Sequence, residues 1–181
     1  MDTCEIKIEK MTEQTQNPIE NILSRKSVRK YSDQPVEPEK LELLLKAAMA
    51  APSGKDTRPW EFVVVDNRII LDAMAEALPY AKMLKQATVA IVVCGNVELS
   101  SYWYLDCAAA AQNMLLAAEA LGLGAVWTAT YPYLDRMDVV SQSLNLPESI
   151  KSLCVIPIGY PAKPHQPRDK WDNTKVHTNR W

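Results

Sequence analysis

The feature that most constrains this fold is a long segment that is apolar on nearly every side. It extends from about Tyr102 to Leu121, and its middle reads CAAAAQNMLLAAEAL. A helix without a wide polar face is buried on several sides, and alanine side chains let a second helix approach closely. In a chain of only 181 residues, this pattern predicts a helix that forms part of a subunit interface. Gly122 predicts the end of that helix.

Shorter apolar runs on both sides of this helix alternate between strand-like and helix-like patterns. Runs rich in valine, isoleucine and cysteine predict buried strands at residues 60–65, 89–94, 124–130 and 153–160. Helical spacing with proline or glycine boundaries predicts helices that begin at Pro18 and Pro38, and others at residues 69–78 and 135–144. Together these elements predict a layered domain of the α/β or α+β class, and the pattern alone does not separate the two.

The length of the chain favours one domain, which we expect to carry two arms. Residues 1–17 are polar and predict a loose N-terminal arm. Residues 18–160 contain all the predicted helices and strands. Residues 161–181, the C-terminal arm, contain three prolines, two histidines and two tryptophans without periodicity. Because Trp171 and Trp181 are unfavourable in water, this arm is expected to extend across the surface of a partner subunit.

Charge and cysteine usage exclude several functional classes. The net charge is −2, so no global basic field exists to hold nucleic acid or an anionic membrane. The first 17 residues lack the apolar core of a signal peptide, and no run is long enough to span a bilayer. The four cysteines are scattered without a CxxC pair, which is typical of a reduced, cytoplasmic protein.

A short basic segment, residues 25–30, carries groups that hold a phosphate. A phosphate requires converging cations with hydroxyl or backbone donors, and arginine can bind it through two hydrogen bonds. The candidate residues are Arg25, Lys26, Ser27 and Arg29. A solvated helix end or a weak nucleic-acid patch is the alternative interpretation of the same residues.

Two further segments have a binding and a purely structural interpretation. The 52–60 loop places Ser53, Asp56, Thr57 and Arg58 between two predicted elements, where loops often contact ligands. An ordinary connector with proline boundaries explains it equally well. The turn at residues 121–124 contains two glycines, which would let the backbone approach a flat ligand. A helix end followed by a tight turn explains both glycines as well.

Other catalytic patterns are missing from the sequence. No serine occurs in a G-x-S-x-G context, and no G-x-G-x-x-G or G-K-[ST] loop is present for a nucleotide. His165 and His177 have no ligands at the spacing of a zinc site. Cys107 lies in the alanine-rich helix, where a core position is expected rather than a nucleophile. The residue pattern by itself therefore predicts no particular reaction.

Four segments, taken together and in order, resemble the FMN-dependent nitroreductase family. They read RKSVRKY at residues 25–31, APSGKDTRPW at 51–60, ALGLGAVW at 120–127 and PIGYP at 157–161. Each segment is weak alone, whereas four in the family's order and spacing are a strong signal. The resemblance covers about residues 18–161.

This resemblance implies an α+β fold of three layers (α-β-α), in which helices flank a mixed central sheet. It also implies an obligate homodimer that binds FMN at two sites between its subunits. Both implications agree with the two unusual features of the sequence, the apolar helix and the unsupported C-terminal arm.

The resemblance further implies which residues contact FMN. In the family the basic segment holds the FMN phosphate, and a basic residue after the G-Y-P motif commonly returns to it. The corresponding residues here are Arg25, Lys26, Ser27 and Arg29, with Arg168 as first choice and Lys170 as second for the returning cation. The residues expected along the isoalloxazine ring are Trp127, Thr128 and Ala129. The 52–60 loop, often supplied by the partner subunit, contributes Pro52, Ser53, Gly54, Asp56 and Arg58.

The 52–60 loop departs from the family pattern at two positions. Asp56 stands where asparagine is usual, and Arg58 stands where glutamine is frequent. A carboxylate accepts a hydrogen bond from the flavin N3–H, but it donates to a ring carbonyl only when protonated. We expect an Asp56–Arg58 ion pair that restores neutrality and changes how the ring is framed.

The implied activity is that of an NAD(P)H oxidoreductase that reduces small electron-poor acceptors, such as nitroaromatics or quinones. NADH or NADPH delivers hydride to flavin N5 and leaves, and the acceptor then takes two electrons, which is a ping-pong scheme. No side chain is assigned a catalytic role. Two alternatives stay open: a flavin-binding carrier or redox sensor without turnover, and a reductive dehalogenase of iodotyrosine type with the same fold.

Overall fold

The computed structural model of the protein describes residues 17–181. The predicted N-terminal arm, residues 1–17, therefore lies outside the described residues except for Asn17. The Asn17 side chain accepts a hydrogen bond from the backbone N–H of Ile19 at 2.9 Å and so caps the first helix.

Within the described residues, five α-helices form where the sequence predicts them, with ends that differ by about one residue. Proline in the first turn begins two of them, because its missing N–H has no partner there in any helix. The helices are α1 (Pro18–Ser24), α2 (Pro38–Met49), α3 (Arg68–Ala77), α4 (Trp103–Ala120) and α5 (Leu134–Leu144).

The predicted end of α4 at Gly122 is confirmed. Gly122 has a φ of 71°, and its N–H donates to the Glu119 carbonyl at 3.1 Å. The Leu123 N–H donates to the Ala118 carbonyl at 2.8 Å. This pair of hydrogen bonds ends a helix through a left-handed residue, a conformation that glycine adopts without a Cβ penalty.

The central sheet has the strand order β1-β2-β5-β3, and β4 also pairs with β5. All these strand pairs are antiparallel, and the bridge between Ser27 and Ala125 is parallel, which makes the sheet mixed. The strands are β1 (Trp60–Val65), β2 (Val89–Asn96), β3 (Gly124–Ala125), β4 (Thr128–Ala129) and β5 (Ile150–Gly159).

The prediction of one strand over residues 124–130 is wrong. β3 and β4 keep the same register against β5, with Ala125 opposite Ile158 and Thr128 opposite Val155. That register places Pro157 opposite the gap between the two strands. Because proline has no N–H to donate, the hydrogen-bond ladder is interrupted there. Val126 and Trp127 are therefore released from the sheet.

The three predicted layers are confirmed by the two cores that the sheet separates. Alternate residues of β2 point to opposite faces, as expected for a strand. Val89, Ile91 and Val93 pack with α2 and α4, whereas Ala90, Val92 and Cys94 pack with α3 and α5. The expectation that residues 60–65 are buried on most of their surface is wrong, because β1 is the edge of the sheet and only its two ends are buried.

The helix α4 is not buried on every side within one protomer, because one of its faces is exposed or half-buried. Leu105 is 53% exposed, and the exposed or half-buried face continues through Ala109, Gln112 and Leu116. These positions recur every three or four residues and lie on one side of the helix. Three apolar side chains of the neighbouring helix α1 are exposed as well: Ile19, Ile22 and Leu23. A contiguous apolar surface of this kind is typical of an interface.

Three cysteines occupy the core, as the sequence predicts. Cys94, Cys107 and Cys154 are buried and form no disulfide. Burial raises the pKa of the Cys94 and Cys107 thiols to about 12. Because the thiolate is the nucleophilic form, these thiols are inert at neutral pH.

The C-terminal arm extends along the surface of the protomer. Its two tryptophans are largely in solvent, with Trp171 74% and Trp181 100% exposed. Among residues 17–181, no helix is both long enough and apolar enough to cross a membrane.

Candidate functional site

The basic segment is fixed to the sheet next to β3. The Val28 N–H donates to the Ala125 carbonyl at 3.0 Å, and Ser27 forms a bridge with the same residue. The Val28 side chain is buried directly against Gly124. The Tyr31 hydroxyl lies 2.7 Å from the Val28 carbonyl and 3.1 Å from the Pro157 carbonyl. These contacts hold residues 25–30 along the rim of the sheet.

A cleft of about 620 Å³ separates this segment from the C-terminal arm, and we call it the cationic cleft. Among residues 17–181, ten residues line it, of which seven are lysine or arginine and none is acidic. The basic segment contributes Arg25, Lys26, Ser27, Arg29 and Lys30, and the arm contributes Lys163, His165, Gln166, Arg168 and Lys170. The fold thus brings together the six residues that the sequence suggests for a phosphate.

The cations of the cleft are not equivalent. The Lys26 ammonium lies 2.5 Å from the Glu119 carboxylate, so its charge is largely neutralised within the protein. Among residues 17–181, no carboxylate lies within 4.0 Å of the guanidinium groups of Arg25, Arg29 or Arg168. The buried His165 Nε2 also has no hydrogen-bond partner in this part of the chain. A buried group of this kind is costly unless a ligand or water satisfies it.

A second cavity of about 490 Å³ adjoins the cleft through Arg29, which lines both. It lies beside Val126 and Trp127, the two residues between β3 and β4 that do not pair with β5. We call it the aromatic groove. Trp127, Thr128 and Ala129 line it, as the sequence suggests. Sequence reasoning missed five of its lining residues, of which three are charged or aromatic: Tyr80, Lys82 and Arg136. Tyr80 and Lys82 lie in the connection between α3 and β2, and Arg136 lies in α5. Their basic or aromatic side chains are the only sequence signal that points to a binding site.

The 52–60 loop has an unusual backbone that the sequence does not reveal. Lys55, Asp56 and Arg58 all have positive φ angles, which are uncommon for residues with a side chain. The expected ion pair is present, because two Arg58 nitrogens lie 2.7 and 2.6 Å from the two Asp56 oxygens. These hydrogen bonds from Arg58 hold the pKa of Asp56 below its ordinary value.

The 52–60 loop is held in place by the start of α4. The Gly54 N–H donates to Asp106 Oδ1 at 2.8 Å, and the buried Asp106 also accepts from the Ser100 hydroxyl at 3.3 Å. The Arg58 N–H donates to Ser53 Oγ at 3.0 Å. Asp106 is a further residue that sequence reasoning missed, because it appears there only as a polar interruption of an apolar helix.

Within one protomer the 52–60 loop does not reach the cationic cleft or the aromatic groove. None of its residues lines either cavity. Asp106 contacts the loop and Glu119 contacts the basic segment, and these residues are 119 − 106 = 13 positions apart on α4, or about 20 Å at 1.5 Å per residue. The loop residues Pro52, Ser53, Gly54, Asp56 and Arg58 are therefore separated from the basic segment by most of the helix.

Comparison with known proteins places this arrangement in a family. The model of the nitroreductase family matches residues 22–160. This chain belongs to the nitroreductase family. The nitroreductase fold extends over the whole described domain, and as a member the chain is an oxidoreductase.

Individual nitroreductases are similar to this one over nearly their full length. A crystal structure from Bacteroides thetaiotaomicron VPI-5482, with the provisional name NADH dehydrogenase/NAD(P)H nitroreductase, is 62% identical. It covers 92% of this chain and 100% of its own, with a TM-score of 0.91. A Methanothermobacter thermautotrophicus protein with the same provisional name is 45% identical over 90% of this chain and 87% of its own.

A third relative carries the cofactor in its name. The FMN-dependent nitroreductase from Clostridium difficile R20291 is 34% identical, with a TM-score of 0.86. The match covers 90% of this chain and 99% of that one.

Proposed function

We propose that this protein is an FMN-dependent NAD(P)H oxidoreductase that transfers two electrons to small electron-poor acceptors. The observation that supports this proposal is that the cationic cleft and the aromatic groove adjoin and share Arg29 as a lining residue. The cleft presents cations without a carboxylate partner in the described part of the chain, and the groove presents an aromatic side chain and free backbone. That combination suits a ligand with a phosphate at one end and a flat ring at the other.

The residues of the cleft fit the phosphate of FMN. Arg25, Arg29 and Arg168 have no carboxylate partner within the described part of the chain and line one cavity. The planar guanidinium of arginine donates two parallel hydrogen bonds to a phosphate dianion, whereas the ammonium of lysine acts as a point charge. In this proposal Lys26 supports the site indirectly, because its ammonium is bound to Glu119 and fixes the basic segment to α4.

The residues of the groove fit the ring of FMN. The proposal places the ring along Trp127, Thr128 and Ala129, where the missing ladder bonds leave the chain free to contact a ligand. When bound, FMN supplies the transfer of a hydride from NAD(P)H and of two electrons to the acceptor. For a nitro group the balance is one NAD(P)H and one proton consumed, with NAD(P)⁺, a nitroso product and one water formed.

The separation of the 52–60 loop from the cleft supports a homodimer with a shared site. A twofold axis that sets two α4 helices antiparallel would bring the loop of each protomer beside the cleft end of its partner. The exposed apolar side chains of α4 and α1 supply the surface for this contact. We propose the same partner surface for the exposed tryptophans of the C-terminal arm.

We expect Leu105→Glu to convert the dimer to a monomer that does not retain FMN. Leu105 is 53% exposed in the protomer, so the isolated fold tolerates the change. In a dimer interface the new carboxylate would be buried without a partner, which costs about 3 kcal/mol or more. Light scattering coupled to size-exclusion chromatography measures the mass. The matched control is Ile69→Glu on α3, which lies on the opposite side of the sheet from α4. If the Leu105→Glu variant is still a dimer, the proposed shared site is contradicted.

We expect the purified protein to be yellow and to release about one FMN per chain. It should oxidise NADH or NADPH only when a quinone or a nitroaromatic compound is present. The measurements are the visible spectrum and the decrease in absorbance at 340 nm with menadione as acceptor. A yellow protein without turnover would support the carrier or sensor alternative, and a colourless protein that takes up no FMN would contradict the proposed function.

A further inference from the structure

The aromatic groove contains an arginine, Arg136, most of whose donors have no partner within residues 17–181. Arg136 lies in the first turn of α5, with its guanidinium carbon 3.8 Å from the ring centre of Tyr133 and 5.2 Å from that of Tyr80. One nitrogen is 3.4 Å from the Ala129 carbonyl, which is a long hydrogen bond. The Nε is buried and has no hydrogen-bond partner within residues 17–181.

A purely structural role does not explain this arginine. Structural arginines are usually paired with a carboxylate, and Asp135 and Asp138 are close in sequence on the same helix. Neither of them, nor any other carboxylate in the described chain, lies within 4.0 Å of the Arg136 guanidinium. A guanidinium has five N–H donors, so most of those on Arg136 are available to a ligand.

The surroundings of Arg136 favour an anionic ligand. The groove is also lined by Arg29 and Lys82, and none of its lining residues in the described part of the chain is an aspartate or a glutamate. The charge of Lys82 is partly offset by Glu76 at 3.5 Å in a solvent-exposed pair. Contacts with the faces of Tyr133 and Tyr80 hold the guanidinium plane in one place, which reduces the entropy lost on binding.

The same part of the groove has an aromatic surface for a flat molecule. The Tyr80 side chain is 71% exposed at the mouth of the groove, and Trp127 lies further along it. An aromatic side chain that pairs with another ring stabilises the complex in addition to the effect of the buried area. A ligand that combines a conjugated ring with a carboxylate therefore satisfies both parts of this site.

We propose that Arg136 and Tyr80 select electron acceptors that are flat, conjugated and carboxylated. The carboxylate accepts hydrogen bonds from the Arg136 guanidinium, and the ring packs on Tyr80. This inference rests on the proposed oxidoreductase function and names the acceptor class for the same site. Arg136 acts as a specificity residue, since it binds the acceptor away from the atoms that receive electrons.

The test compares two acceptors that differ in charge and hardly in shape. The FMN-loaded protein is reduced photochemically, so that no nicotinamide is present, and is mixed with 4-nitrobenzoate or with 4-nitrobenzamide. Stopped-flow absorbance gives the second-order rate constant for reoxidation by each compound. Free reduced FMN, measured in the same way, corrects for the intrinsic reactivity of the two acceptors.

We expect Arg136→Gln to lower the rate constant for 4-nitrobenzoate by about 10–100-fold, the range for a lost hydrogen bond to a charged group. The rate constant for 4-nitrobenzamide should stay within about twofold, because its neutral amide does not need the cation. Arg136→Lys should restore part of the preference, since it keeps the charge and loses the planar fork. Lys46→Gln on α2, which removes one positive charge outside both cavities, should leave both rate constants unchanged.

Two results would overturn the inference while the proposed function stands. One is an equal decrease of the rate constants for both acceptors in the Arg136→Gln variant, which would indicate a general defect. The other is an unchanged acceptor preference; a higher KM for NADH or NADPH in a separate steady-state assay would then assign the guanidinium to the electron donor. If neither acceptor reoxidises the wild-type protein faster than it reoxidises free FMN, the proposed function itself fails.

Discussion

We expect the double variant Arg25→Gln/Arg29→Gln to be purified without FMN. Both guanidinium groups line the cationic cleft, and Arg29 also lines the aromatic groove. Each hydrogen bond to a charged group is worth about 1.5–3 kcal/mol, so two together are worth about 3–6 kcal/mol. Since about 1.4 kcal/mol corresponds to a factor of ten, FMN should bind about 100-fold to 10,000-fold more weakly.

The measurement is the ratio of flavin to protein absorbance after purification, followed by titration of the apoprotein with FMN. The control is Lys46→Gln/Lys175→Gln, which removes the same charge from two exposed residues outside both cavities. Circular dichroism should show that both double variants keep the fold. Unchanged flavin content in Arg25→Gln/Arg29→Gln would show that the cleft does not hold the phosphate.

The second large effect is expected from Gly124→Ala on β3. An added Cβ at this position would lie 2.6 Å from Val28 Cγ1 and 2.7 Å from Val28 Cβ, closer than real contacts allow. Val28 is buried and branched, so it cannot rotate away. Overpacking of this kind costs about 1–3 kcal/mol. The basic segment must shift from the sheet, and FMN binding should weaken together with stability.

A double-mutant cycle separates this contact from other causes. Val28→Gly removes the Cβ and both γ-carbons that meet the new Cβ, although it is itself expected to be destabilising because it leaves a small cavity and adds a flexible glycine. Denaturant unfolding of both single variants and the double variant gives the coupling energy. We expect the double variant to be more stable than the sum of the single changes predicts. Additive effects would show that the contact between Val28 and residue 124 does not set the position of the basic segment.

Much of the architecture could be predicted from local pattern. The bounds of the helices, the end of α4 at Gly122 and the burial of β2 follow from residue types within a few positions of each other. Four short motifs in order were sufficient to predict the family, which the match over residues 22–160 confirms. The assignment of individual residues to FMN stays a prediction.

Other features depend on partners that are distant in the sequence. The strand predicted over residues 124–130 is divided because Pro157 lies opposite its middle. Arg136 and Tyr80 enter the aromatic groove although neither belongs to a recognisable motif. Asp106 looks like a polar interruption of a helix, yet it holds the 52–60 loop through the Gly54 N–H.

Local sequence pattern was therefore sufficient for most of the elements, their order, the family and the cations at residues 25–30. Long-range packing sets which of those cations are available, because Lys26 is paired with Glu119, 93 residues away. Packing also places the 52–60 loop and the basic segment at opposite ends of α4. The physical reason is that periodicity and capping depend on neighbours within about one turn of a helix, or on the next strand residue. The charge balance and the position of a site depend on how whole layers pack.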